Sequence, residues 1–228
     1  MPRLGGPSNV QVPDRSHGPH PRGLRDTRAG RFAAGAGFWL LMTVLAMMPM
    51  QLKAEPGNFH LAAYSGKAAK GRLLEIVTQF HTGYVDSYLA ALAPGYVHAR
   101  TGPVRWEVEA QVVRHWGEQH HWELNGLYIA RWTSFPWEDH LSTSVALGGG
   151  VSRASQIPRI EPRAKEFNGG EESARVLGYL MLEIEMAPPG DSQWSGFFRL
   201  HHRSGASGVF SDVRGGSNFK TLGIRRYF

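Results

Sequence analysis

The sequence predicts an all-β chain: eight antiparallel strands closed into an up-and-down barrel of the outer-membrane kind. Three observations predict it. Apolar and polar residues alternate with a period of two over several segments. The polar face of those segments carries charge, and tryptophans gather at segment ends. In a water-soluble barrel the apolar face points inward, whereas in an outer-membrane barrel it points to lipid around a polar interior. A face bearing Glu107, Glu109, Glu123, Arg131, Glu183, Glu185 and Arg199 fits the polar interior. Trp106, Trp116, Trp122, Trp132, Trp137 and Trp194 fall where interfacial girdles belong. The competing architecture is a soluble sandwich or lipocalin-like barrel with a wet outer face.

Residues 1–31 are rich in Pro, Gly, Arg and Ser and read as a disordered basic extension. Residues 32–54 follow Arg28 and Arg31 with an uncharged run from Phe32 to Leu52 and the small Ala54. That order of basic flank, apolar core and small residue reads as an export signal cleaved near Ala54. A membrane anchor is the competing reading, since the run approaches about 20 residues. The barrel domain is then 55–228, and the long extension also fits a translation start downstream of Met1.

Within that domain the expected strands are 73–81, 85–99, 104–116, 122–133, 140–153, 174–187, 194–204 and 217–228. In 104–116, Trp106, Val108, Ala110 and Val112 oppose Glu107, Glu109, Gln111 and His115. In 122–133, Trp122, Leu124, Tyr128 and Trp132 oppose Glu123, Asn125 and Arg131. In 174–187, Val176, Leu180, Leu182, Ile184 and Met186 oppose Tyr179, Glu183 and Glu185. The chain closes on Leu222, Ile224 and Phe228 in the same alternation. With both ends of the barrel at the periplasm, the turns near 100–103, 134–139 and 188–193 are periplasmic. The connections near 117–121, 154–173 and 205–216 are extracellular, and the last two are the longest, as in barrels with long outer loops.

The net charge of +6 does not make a nucleic-acid protein. Through Ala54 there are seven basic residues (Arg3, Arg15, Arg22, Arg25, Arg28, Arg31, Lys53) against Asp14 and Asp26, which leaves only +1 for residues 55–228. A nucleic-acid footprint needs its basic face on the folded domain. The absence of cysteine excludes disulfides, thiolate metal sites and a cysteine nucleophile.

The chemistry-bearing stretch is FFRLHHRSGASG, residues 197–208. A period of two puts Arg199, His201 and Arg203 on the lumenal side, with Phe198, Leu200, His202 and Ser204 facing outward. Polar groups turned toward lipid are costly without partners. A His/Ser pair at the outer rim is explained if its members bond to each other or act on a lipid. His202 would take the proton of Ser204 as the hydroxyl attacks an ester, and backbone N–H groups of Gly205–Gly208 would form an oxyanion hole.

This order, a strand carrying His-x-Ser, small residues, a loop and a final strand ending in Phe, resembles the PagL-type lipid A 3-O-deacylases. The resemblance is firmest over residues 194–228. It implies an eight-stranded outer-membrane barrel that hydrolyses an ester-linked acyl chain of lipid A without a metal or other cofactor. It further implies that His202 is the base and Ser204 the nucleophile. The chain departs from the family pattern in two places: Gly205 follows the serine where the family has Asn, and Gly216 stands where the family has its acid. Asp212 is then the expected orienting acid, with Glu171 or Glu172 behind it.

Other features carry blander expectations. His115, His120 and His121 read as a solvated hairpin rather than a metal site. Gly148–Gly150 is not a phosphate loop, because no Lys-Ser/Thr follows. Glu183 and Glu185 are expected to pair with Arg199 or Arg131 in the lumen. The expected partner is an outer-leaflet lipid. The alternative function is a non-catalytic barrel with a structural or partner-binding role.

Overall fold

The computed structural model describes residues 57–79, 83–161, 173–190, 192–205, 213 and 216–228. The expected extension 1–31 and the expected export signal 32–54 lie outside these residues. The described chain forms a closed barrel of eight strands, each antiparallel to its sequence neighbour, with the first strand sealed against the last. The strands are β1 (Phe59–Ala69), β2 (Tyr84–Thr101), β3 (Val104–Gly117), β4 (Trp122–Trp132), β5 (Ser142–Ala154), β6 (Val176–Ala187), β7 (Trp194–Ser204) and β8 (Gly216–Tyr227). Seven match expected strands to within a few residues. Gly102, with φ +56°, supplies the left-handed position of the tight β2–β3 turn.

One expected strand is wrong. Residues 73–81 do not form the first strand: Leu73–Gln79 is a helix, α1. Its apolar residues Leu73, Ile76 and Val77 recur at helical spacing, and the Glu75 carboxylate caps the start by accepting from the Arg72 N–H at 2.9 Å. The true first strand, β1, has little face contrast. Its inward residues include Ala62, Tyr64 and Ala68, which join Leu89, Val113, Phe197 and Phe219 in an apolar sector of the lumen.

Elsewhere the lumen is charged, and the salt bridges account for it. Arg131 pairs with Glu107 at 2.8 Å, Glu183 at 2.7 Å and Glu185 at 2.7 Å. Arg199 pairs with Glu109 at 2.7 Å and Glu183 at 2.6 Å. Arg225 joins Glu183 at 2.9 Å and also Glu185, and Arg105 lies 3.6 Å from Glu107. Four arginines and four glutamates make a neutral plug, as buried charges require. An eight-stranded barrel is about wide enough for side chains to fill.

The outer surface is its complement. Leu61, Leu92, Val112, Leu124, Val145, Leu147, Ile184, Leu222 and Ile224 are all exposed. Trp106 and Trp116 end this band on β3, and Trp122 and Trp132 end it on β4. Ten residues at about 3.3 Å each, tilted about 40°, span roughly 25 Å along the barrel axis, the height of an outer-membrane apolar band. Among the described residues no helix is long and apolar enough to cross a membrane; the strands do so. The protein is an outer-membrane β-barrel, charged inside and lipid-facing outside.

Candidate functional site

The alternation on β7 is as the sequence predicts. Arg199, His201 and Arg203 are buried in the lumen, whereas His202 and Ser204 face outward and are partly exposed. Strand register places each outward residue among its neighbours. Leu180 of β6, His202, Asn218 of β8 and Ala69 of β1 form one row. Gly178, Ser204 and Gly216 form the row above it. Ser204 therefore stands between two residues without side chains.

His202 has a partner that sequence reasoning missed. Its Nδ1 lies 2.6 Å from the Oδ1 of Asn218, and the Asn218 amide in turn donates from Nδ2 to the carbonyl of Gly71 at 3.0 Å. With Nδ2 committed to a carbonyl, Oδ1 must accept, so Nδ1 of His202 carries the proton. The neutral imidazole then holds its lone pair on Nε2, the nitrogen that can act as a base, and the ring also hydrogen-bonds the Ser217 backbone. The signal was present in the sequence: counting back by twos from Ile224 and Leu222 reaches Lys220 and Asn218 on the same outward face. The expected orienter Asp212, and Glu171 and Glu172 behind it, lie outside the described residues, as do Ala206–Gly208 of the expected oxyanion hole.

Gly216 has a physical reason to be glycine. A Cβ there would come within 2.2 Å of the Arg203 carbonyl oxygen and 2.8 Å of Ser204 Cβ. The close approach of β7 and β8 beside the serine leaves no room for a side chain.

Helix α1 holds the arrangement from outside. The chain turns back after β1, so Gly71 reaches Asn218 and Ile76 packs on Ala69 and Leu200, with Leu73 and Leu182 beside them. The opposite side of α1 leaves Leu74 and Val77 exposed. At the same rim Lys67 donates to Asp86 at 2.9 Å.

Beneath this rim, inside the barrel, the described ends of the 155–175 connection are pinned to the lumen. Arg203 donates from Nη1 to both Glu161 oxygens at 2.8 and 2.7 Å and from Nη2 to the carbonyls of Ala174 and Arg175. Ser217 and Ser173 also donate to Glu161. Lower still, His115, Glu123 and His201 meet in the lumen. The sequence grouped His115 with His120 and His121 as one solvated hairpin; instead His115 and His121 are buried and His120 is exposed. Burial first, then the neighbouring His115, depress the His121 pKa to about 3, so its imidazole is neutral.

No family model matches the chain, and no curated protein matches it by sequence. Three solved structures share its general architecture at low identity. Neisserial surface protein A aligns with TM-score 0.45 and 12% identity over 75% of this chain and 97% of its own. The outer membrane enzyme PagL aligns with TM-score 0.44 and 13% identity over 74% and 99%. The N-terminal β-barrel domain of Pseudomonas aeruginosa OprF aligns with TM-score 0.41 and 12% identity over 76% and 100%.

Chemically, the rim offers a hydroxyl, a base two residues away on the same face, and a fixed tautomer. Side chains at i and i+2 on a strand have Cβ atoms about 7 Å apart, a gap an imidazole and a hydroxyl can bridge.

Proposed function

We propose that the protein is an outer-membrane esterase that removes an ester-linked acyl chain from lipid A. Ser204 is the nucleophile, His202 the base and then the acid, and Asn218 the residue that orients His202. The hydrogen-bonded chain from His202 Nδ1 through Asn218 to the Gly71 carbonyl carries this reading. The same bonds satisfy polar groups on the outer face, and they also set which nitrogen of His202 would take the Ser204 proton.

In the forward step Ser204 Oγ attacks the ester carbonyl as its proton passes to His202 Nε2. The tetrahedral intermediate then collapses, and the imidazolium returns the proton to the leaving sugar hydroxyl. Water, deprotonated by the same imidazole, releases the fatty acid from Ser204. Asn218 contributes no charge, so it fixes the ring without stabilising the imidazolium as a carboxylate would.

The test is to express the protein in an outer membrane and analyse lipid A by mass spectrometry, with Ser204→Ala and His202→Ala alongside. Loss of one acyl chain in the unmutated strain and not in the variants supports the reading. An unchanged lipid A across several acylation types, with the folded barrel present, removes it and leaves the non-catalytic barrel.

A further inference from the structure

The outward pair leaves unexplained a second cluster of chemistry-bearing groups inside the barrel, on the lumenal faces of β3, β4 and β7. His115 Nε2 lies 3.0 Å from one oxygen of Glu123, and His201 Nε2 lies 3.1 Å from the other. The ligand atoms of the three residues fall within 4.8 Å of one another, and all three side chains are buried. His121 stacks on His115 with ring centroids 4.2 Å apart.

The geometry points to a buried site for a first-row divalent transition ion, held by His115, Glu123 and His201 with His121 as the fourth donor. Two or three imidazoles and one carboxylate form the nitrogen–oxygen set that zinc takes. Ligands about 2.0–2.1 Å from an ion in a tetrahedron stand about 3.4 Å apart, so modest side-chain rotation closes the set.

Unpaired atoms at the same spot supply the independent observation. Both ring nitrogens of His121, only 2% exposed, lack a hydrogen-bond partner, and so does Gln119 Oε1. Unpaired polar atoms in a dry interior call for an explanation such as an ion. As placed, the donor atoms of His115, Glu123 and His201 converge, and His121 would have to rotate out of its stack to join them. Gln119 Nε2 now sits 3.3 Å from His115 Nδ1. Turning that amide over presents Oε1 as the acceptor for Nδ1–H, which leaves Nε2 to bind the ion. His201 is prepared in the same way, with Nδ1 beside the Tyr179 hydroxyl at 2.9 Å and Nε2 toward Glu123. Ligating histidines characteristically bond their second nitrogen in this manner. Tyr64, Tyr179 and Phe219 surround His201, and the Arg203–Glu161 pair helps to pin the loop at the lumen mouth. The site is independent of Ser204 and His202, which face the other side of the wall.

The test uses the untagged barrel folded in detergent with ZnCl2, desalted and analysed by elemental mass spectrometry. One Zn2+ per folded barrel is expected, and the Co2+ form should show the visible bands of nitrogen–oxygen ligation with at least two imidazoles by X-ray absorption. Glu123→Gln and His201→Gln should each weaken Zn2+ binding about tenfold or more while heat-modifiable migration persists. Should those variants fail to fold, metal content and the Co2+ spectrum of the unmutated barrel decide. A folded, metal-free barrel after desalting overturns the site. So does Zn2+ binding that survives unchanged in a folded Glu123→Gln barrel, which would place the metal on surface histidines.

Discussion

Glu183→Gln tests the lumenal account in a single substitution. The Glu183 carboxylate meets three guanidinium groups: Arg131 at 2.7 Å, Arg199 at 2.6 Å and Arg225 at 2.9 Å, all fully buried. The substitution keeps the shape but takes one charge from a neutral set of four arginines and four glutamates. It also turns an amide NH2 toward groups that can only donate. Breaking a buried ion pair by removing one partner costs about 3–5 kcal/mol, because the other charge is left uncompensated. With a urea dependence of about 1–3 kcal/mol per M, the unfolding midpoint should fall by about 1 M or more. The measurement is tryptophan fluorescence of the barrel in lipid vesicles across a urea series. Asp86→Asn, which removes an exposed pair with Lys67, serves as the control and should leave the midpoint in place. A Glu183→Gln midpoint no lower than the control would refute a dry, charge-paired lumen.

Three further outcomes follow from the rim. Asn218→Ala leaves His202 Nδ1 unpaired, a loss of about 1–3 kcal/mol, so kcat should fall about 5- to 150-fold with KM little changed; an effect on KM alone contradicts the orienting role. On the proposed mechanism activity requires a neutral His202, so kcat/KM should fall once acid protonates the imidazole; a profile that stays flat down to the pH at which the barrel unfolds removes His202 as the base. Gly216→Glu, which installs the acid of the resembled family, should lower activity rather than raise it, because its Cβ meets the Arg203 carbonyl and Ser204; a faster enzyme in the lipid A assay would show that the strand approach is slacker than described.

Much of this architecture is legible because β3, β4, β6 and β7 each carry charge on one face and apolar residues on the other. The division of His201 from His202 follows from that alternation and needs no tertiary information. β1 was illegible for the opposite reason: it faces an apolar sector of the lumen with Ala62, Tyr64 and Ala68, so both its faces resemble each other. The helix at 73–79 was hidden inside an apolar run, where period alone does not separate strand from helix. At the site, Asn218 was within reach of the same counting by twos. Its bond to Gly71 was not, because that depends on a chain reversal after β1. The meeting of His115, Glu123 and His201 joins three strands far apart in sequence, and only closure of the barrel brings them together.

The central claim, that Ser204 is a nucleophile activated by His202, is tested most directly by trapping it. The folded barrel in detergent is treated with a long-chain fluorophosphonate, and the modified residue is located by peptide mass spectrometry. The account predicts a phosphonyl adduct on Ser204 that forms in the unmutated protein and is lost or much slowed in His202→Ala. A folded barrel that takes up no label at Ser204, or takes it up equally with and without His202, contradicts it.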